Sequence, residues 1–487
     1  MPQGTVVINV KDGGIGLVGG VNPNAVVVMG VCSKTNANTL YSFGQLSDIV
    51  NTIGYGPGAD AAAYQLSAAG GSCYFMPVEK TVAATITAGT PTAGKVSSTG
   101  TISPGATLPF DCYKLIIAVV STGGATDALV SSGNIGVQVS LDGGTNWGRT
   151  VLIPGGTGLL TLDAVHSAVK GDTGLVFTFD AGKFNVGDSF PFTCVAPYYS
   201  ATDLGTAFDA LLADSRTWGL VSVVGYGATV AATTAMSSTI TTKMNAAALA
   251  YRYARAELSC PTVTGDTDAN RITQFANVDD PRQAVAADTG FITSPVLGAN
   301  LERGMGIAII ARLSSIQVSR SPGVPDDGPL IGVISITRDE RVTPGLFDAG
   351  FDTVTTIIGR SGVYASIGRV HVHSGSDFSI WPYARTMDLV CNGALQGATH
   401  FQNTSVKVTS TGAIDATDAG NIEKYIKGKI TALAGADISS VTVAVNTTDN
   451  ILSTQTLNVT ITVVPFGYAQ SVDVTIAYVN PALQLAA

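Results

Sequence analysis

The chain has 487 residues, more than one ordinary hydrophobic core accommodates, so about three domains are expected. Its net charge of −9, with no basic stripe or basic-aromatic cluster, excludes sequence-wide nucleic-acid binding. Apolar runs of about five to eight residues fall far short of the ~20 that a membrane span needs, which excludes direct membrane insertion.

Apolar residues make up 45% of the chain and charged residues only 13%, roughly half the usual share. With 56 Gly and long Ala/Ser/Thr/Val stretches, this composition suits a chain that buries much of its surface against copies of itself. A weakly charged, β-rich monomer is the alternative. Met1-Pro2-Gln3-Gly4 lacks the charged region and apolar stretch of a signal peptide, so folding in the cytosol is expected.

In chain order, Thr5, Val6, Val7, Ile8, Asn9 and Val10 form a β-branched strand with no local partner. A glycine-rich hinge follows, with Gly13, Gly14, Gly16, Gly19 and Gly20. Ala25 to Val31 is apolar throughout, as a strand covered on both faces would be. Phe43, Leu46, Val50 and Ile53 fall on one helical face, with Ser42 placed as cap and Gly54 as stop. An Ala-rich helix over 59–69 and a strand from Cys73 to Val78 complete a β-α-α-β layer.

From 81 to 199 the texture changes to short strands and Gly/Thr/Ser turns. The clearest strands are Leu115–Val120, Gly136–Leu141, Leu175–Phe179 and Ser189–Cys194, with a hairpin signal at Asp142-Gly143-Gly144. This reads as a β-sandwich inserted into the α/β unit. The α/β pattern then resumes with a helix capped by Asp203, a strand over Trp218–Val224, and a long Ala-rich helix over Thr233–Glu257. Residues 265–282 are polar, and the chain is mixed to about 395. A compact terminal unit has a helix capped by Asp418, with Ile422, Ile426 and Ile430 on one face and Lys424 and Lys427 on the other. Two alternating strands, Leu457–Val464 and Val472–Tyr478, come last; Val472, Val474, Ile476 and Tyr478 share one face of the second.

The fold class is therefore α+β and α/β, multidomain. The expected division is a linking arm at 1–20, a split core at 21–80 and 200–395, the inserted sandwich at 81–199 and a C-terminal domain at 396–487.

Motifs for chemistry are sparse. Gly14 to Gly19 matches GxGxxG, but a strand rather than a helix follows, so no helix dipole would face a phosphate and a hinge is the better reading. His371 and His373 would share a strand face, with Asp377 or His400 needed as a third ligand, and a packed or surface pair is the simpler reading. No GxSxG elbow is present, nothing argues for catalysis, and no cofactor is expected. Asn403, Asn446 and Asn458 begin sequons that read as accidents of a Thr-rich chain. The run Arg338-Asp339-Glu340-Arg341 is either a solvated turn or a patch that sets register between subunits. The six cysteines (Cys32, Cys73, Cys112, Cys194, Cys260 and Cys391) show no metal spacing and read as buried thiols. Cys112 and Cys194, near the two ends of the β-rich segment, are the candidate disulfide.

Several segments, taken in order, resemble the tail sheath proteins of contractile bacteriophages. They are Val21 to Lys34, the Phe43 to Ile53 stretch, Gly70-Gly71-Ser72-Cys73-Tyr74-Phe75, and Leu346-Phe347-Asp348-Ala349-Gly350-Phe351 with Gly359 to Tyr364. Gly375-Ser376-Asp377-Phe378 with Arg385 and Asp388, and the terminal helix with its alternating strands, extend the likeness. The segment 81–199 departs from short sheath proteins, although Ser140 to Trp147 resembles a hairpin of phage β-sandwich modules.

The resemblance implies a structural subunit, not an enzyme. It would stack with its copies as hexameric rings in a helix around a tail tube, with baseplate and tail-terminator proteins at the ends. It would contract to drive the tube through the host envelope during genome ejection, within a virion assembled in the bacterial cytoplasm. The N- and C-terminal strands of neighbours would join a third subunit's sheet, and Lys424 and Lys427 would face an acidic tube. Two other classes stay open: the sheath of a related contractile injection system, and a surface protein whose sandwich binds glycans. An α/β enzyme rests on the glycine fingerprint alone.

Overall fold

The computed structural model describes residues 22–34, 37–105, 108–156, 158–161, 173–224, 230–259, 267–470, 473–476 and 478. Thr5–Val10, Gly13–Gly20 and Val472 lie outside the described residues.

The strand Val26–Gly30 is buried at every position because it sits inside a six-stranded sheet. The order is Gln283–Ala286, Arg255–Ser259, Leu220–Val224, Val26–Gly30, Cys73–Pro77 and Tyr41–Phe43. The first five run parallel, and Tyr41–Phe43 is antiparallel at the edge. Strand alternation sends Val26 and Val28 to one face, where they join the helices Pro57–Ala69 and Gly306–Ser315. Val27 and Met29 go to the other, against Leu204 and Phe208 of helix Ala201–Ala213 and Met236, Ile240 and Met244 of helix Val230–Leu249. The Pro57–Ala69 helix approaches the sheet so closely that a Cβ at Gly58 would lie 2.7 Å from the Val31 carbonyl oxygen.

Several expected elements are corrected. Ser42 and Phe43 belong to an edge strand, and the helix begins at Leu46 without a side-chain cap. Ser200 caps the Ala201–Ala213 helix, with Asp203 returning the bond in a capping box. The long helix stops at Leu249. Tyr251 takes a left-handed φ of 58°, and Arg255–Ser259 becomes a buried strand. Arg255 and Glu257 read as helix formers, but pairing with Leu220–Val224 and a salt bridge from Arg255 to Asp388 at 2.7 Å hold them in the sheet. The polar stretch contains a helix, Asp268–Phe275. Asp415, not Asp418, caps the helix Ala416–Ala434, while Asp418 accepts from the Lys407 amide at 2.7 Å.

The described residues between 85 and 195 form two facing sheets and a short two-stranded pair, Ala128–Leu129 with Lys183–Phe184. One is five-stranded, ordered Thr85–Ala88, Ser189–Val195, Tyr113–Ser121, Gly136–Ser140, Val151–Leu152; the other joins Leu159–Thr161, Val176–Phe179 and Ile102–Pro104. Phe177 of the smaller sheet meets Phe192 of the larger at 4.8 Å between ring centroids, inside one shared core. The hairpin signal at Asp142 is a loop stapled by its own carboxylate, which accepts from Ser140 Oγ at 2.7 Å, the Asn146 amide at 2.9 Å and Asn146 Nδ2 at 2.6 Å.

A buried ion cluster ties these sheets to the α/β layer. Arg303 donates to Asp60 at 2.9 Å and to Asp111 at 2.7 and 3.0 Å, and Ser294 donates to Asp60. Burial, opposed by the Arg303 charge, pushes the Asp111 carboxyl up to about 6.

The histidines part company. His371 is buried against Phe351 at 4.8 Å with both ring nitrogens on backbone carbonyls, while exposed His373 pairs with Asp279 at 2.9 Å. No metal-binding group of three ligands occurs among the described residues. The charged run is half-buried over Arg338 to Glu340, and Arg341 stays exposed. Arg338 binds Asp268 at 2.7 Å, Asp288 at 3.3 Å and Glu340 at 2.5 Å, and Asp339 accepts from the Thr356 and Arg341 amides.

Cys112 and Cys194 are free thiols. The ladder sets Cys194 opposite Tyr113 rather than Cys112, and the Cys112 sulfur accepts from the Ala196 amide at 3.3 Å. Burial pushes both thiols up to about 12, so neither is a ready nucleophile.

Candidate assembly interface

The C-terminal unit is built on the isoleucine stripe of the helix Ala416–Ala434. Ile422, Ile426 and Ile430 are buried, and this face packs on the helix Trp381–Thr399 through two glycines. A Cβ at Gly393 would stand 2.7 Å from Ile430 Cα, and one at Gly397 2.9 Å from Ile426 Cα. Only glycine allows this approach. The same helix also covers a hairpin of Ser440–Val445 and Val459–Val464.

That hairpin is unfinished. In Ser440–Val445 the inward residues Val441, Val443 and Val445 are buried, but the inward residues of its partner, Val459, Ile461 and Val463, are only half-buried. No third strand joins either edge among the described residues, so each edge presents unpaired backbone N–H and C=O groups. Val464 is half exposed at the hairpin's end.

Beyond it, Tyr468 donates to the Ser319 carbonyl, and its ring lies 5.3 Å from that of Tyr383. The chain thus returns to the body of the molecule before its last segment. There Val474 and Ile476 are 73% and 88% exposed, Tyr478 is fully exposed, and none of the described positions from 473 to 478 is in a strand. In an extended strand these three side chains would share one apolar face, and nothing in the described residues covers them.

Lys424 and Lys427 are both exposed, on the helix face opposite the isoleucines. Glu423, just before Lys424, accepts from the Val445 amide at 2.8 Å and anchors the helix to the hairpin. Gly420 and Gly428 lie on the same outer side, and a Cβ at either would meet nothing within 4 Å.

Within this unit sequence reasoning missed the strand Ser440–Val445. Its signal is plain in retrospect, because Val441, Val443 and Val445 alternate with Thr442 and Ala444 in strict period two.

No curated protein sequence matches the chain. The contracted helical sheath of the anti-feeding prophage is similar in structure, with 10% identity, a TM-score of 0.52, and coverage of 97% of this chain and 99% of that one. The contracted PVC sheath complex of an extracellular contractile injection system shows 10% identity and a TM-score of 0.52, covering 93% of this chain and 91% of its own. A chain of the contracted anti-feeding prophage baseplate shows 11% identity and a TM-score of 0.51, covering 97% and 99%. The family described as "DUF2586, N-terminal domain" matches residues 3–369. The chain therefore belongs to the DUF2586 family, and its fold is that of contractile sheath proteins.

Proposed function

We propose that this protein is the sheath subunit of a contractile phage tail or related injection device, polymerising as a helix of hexameric rings around a tail tube. The observation that carries the reading is the unfinished hairpin Ser440–Val445/Val459–Val464, together with the exposed apolar side chains Val474, Ile476 and Tyr478 in the same chain. A two-stranded sheet with open edges gains backbone hydrogen bonds when strands from other chains add to it. Thr5–Val10 of one neighbour and Val472–Tyr478 of another supply such strands, and the Gly13–Gly20 hinge lets the connection persist while rings rotate.

The domain reading follows. Residues 21–80 and 200–395 form one split core, 81–199 is an insert on the outside, and 396–487 lines the inner wall. Lys424 and Lys427 then face an acidic tube, and bare Gly420 and Gly428 allow that surface to come close. Contraction needs no nucleotide when assembly traps a less buried packing, since roughly 100 Å² of extra apolar burial per subunit corresponds to about 2.5 kcal/mol. Baseplate and terminator proteins would cap the ends, and the particle would assemble in the bacterial cytoplasm before driving its tube through an envelope.

Deletion of residues 1–20 tests the proposal. The intact chain is expected to form wide hollow tubes or rings visible by negative-stain microscopy, and the deletion to leave dispersed subunits. Polymers of unchanged form and yield from the shortened chain would refute it.

A further inference from the structure

Glu257 stands in the middle of the strand Arg255–Ser259, between Ser222 and Ala284 of the neighbouring strands, and is 1% exposed. Ala256 and Leu258 face the helices Ala201–Ala213 and Val230–Leu249, so alternation turns Glu257 and Ser259 toward the other side, where the helix Gly306–Ser315 begins. A Cβ at Gly306 would lie 2.7 Å from Glu257 Oε1 and 2.5 Å from Ser259 Oγ. Any side chain at this position would displace the carboxyl. Both oxygens of Glu257 are buried without a hydrogen-bond partner among the described residues.

The cations on the surrounding elements are engaged elsewhere. On the same strand Arg255 donates to Asp388 at 2.7 Å. Arg312 of the facing helix donates to the carbonyls of Asp327, Gly328 and Pro329. Arg303 is held by Asp60 and Asp111, and Arg385 reaches the Leu313 carbonyl at 2.9 Å. The charge that acts on Glu257 is a second buried acid, Asp352, which accepts from the Trp381 indole at 2.8 Å and the Arg369 amide at 3.4 Å. Asp288, bonded to Arg338 at 3.3 Å, adds its negative charge to Asp352, and the Arg369 guanidinium interacts with Asp348 and Asp352. A dehydrated carboxylate with no donor and an acid beside it is unstable as an anion. The start of the helix offers only partial positive charge, far less than the lost hydration. Burial and the Asp352 charge push the Glu257 carboxyl well above the usual range, and burial pushes Asp352 up to about 7.

We propose that Glu257 is a proton-held latch: as an uncharged acid it keeps the helix Gly306–Ser315 seated on the sheet, and loss of its proton releases that helix. The latch depends on the fold of the subunit and not on the assembly reading. The folded chain keeps this proton where the unfolded chain has released it. Its stabilisation is therefore full below the unfolded value and is lost as pH rises through the folded one.

The test is denaturant unfolding of the full chain and of Glu257→Gln between about pH 5 and pH 9. The ratio of the two unfolding constants cancels what Asp111 and Asp288 contribute. It should move against the wild type by up to about tenfold per pH unit, then level once Glu257 ionises in the folded chain. Glu257→Met, which has no polar atom to leave unpaired, gives the same comparison if the amide does not fold. Asp352→Asn should give a ratio that rises likewise and levels near pH 7. Hydrogen exchange locates the opening. At about pH 9 the amides of Ile309 to Leu313 should exchange about tenfold faster in the wild type than in the Glu257 variant, while those of Ile422 to Ile430 exchange alike. A ratio flat within about threefold over the whole range overturns the proposal. So does exchange that is equal in the two chains at Ile309 to Leu313, or accelerated to the same degree in both helices.

Discussion

Val26–Gly30 and Val459–Val464 are strands of similar β-branched composition with opposite fates. The first has a parallel neighbour on each side, helices over both faces, and every residue buried. The second has one neighbour, one covered face, and no residue fully buried. Hydrophobic strand residues specify that a strand will be covered, but not by which chain. The α/β layer supplies its own cover, while the outer strand of the C-terminal hairpin stays only half-buried among the described residues.

The largest expected effect tests the open side. Removing residues 472–487 should abolish polymerisation seen by sedimentation while moving the subunit's Tm by less than about 2 °C, because the described positions 473–476 and 478 are exposed. A large drop in Tm would show that the segment completes its own subunit instead.

Next comes a cut at the closed side. Arg303→Met leaves Asp60 and Asp111 buried without their cation and should cost about 3–5 kcal/mol in denaturant unfolding. A loss under about 1 kcal/mol would mean that the two facing sheets are not bound to the α/β layer through this cluster.

Glycines sharpen the contrast within one helix pair. Gly397→Val forces a side chain against Ile426 and should cost about 1–3 kcal/mol. Gly428→Ala, in open space, should stabilise the isolated subunit by about 0.5–1 kcal/mol. If Gly428→Ala then impairs assembly around the tube, that face is one of close approach.

Acid should also separate the regions. Burial pushes Asp111 and Asp288 up to about 6 from an ordinary 3.8, opposed by Arg303 at the first and by the Val354 amide and Arg338 at the second. The folded chain holds these protons where the unfolded chain has released them. The stabilisation is full below the unfolded value and is lost as pH rises through 6. Tm should therefore rise between pH 7.5 and 5. It should fall again in stronger acid, where Asp214, held low by the Arg216 guanidinium, loses its charge.

The smallest effect on the subunit is expected from Lys424→Glu with Lys427→Glu. Both side chains are exposed, so stability should change by no more than about 0.5 kcal/mol. Tube-templated assembly should fail at low salt. Unchanged assembly and salt dependence would remove these lysines from the tube surface.

Much of the fold is legible in the chain itself wherever a periodic apolar pattern meets a short-range punctuator. The strand at 26–30, the Ala-rich helix ending at Ala69, the alternation of Tyr113–Ser121 and the isoleucine stripe at 422–430 all follow from side-chain period, a property of local geometry. Caps are displaced by three residues: Asp203 and Asp418 read as caps, but the capping hydrogen bonds go to Ser200 and Asp415.

Tertiary structure alone decided what depends on residues far apart. Arg255–Ser259 looks helical locally and becomes a strand because Leu220–Val224 and Asp388 are waiting for it. The run from Arg338 to Arg341 looks solvated, yet Arg338 turns inward because Asp268 and Asp288 face it, while Arg341 stays exposed. Composition and period report which surface must be buried; long-range partners choose where each charge is neutralised and which edges stay open.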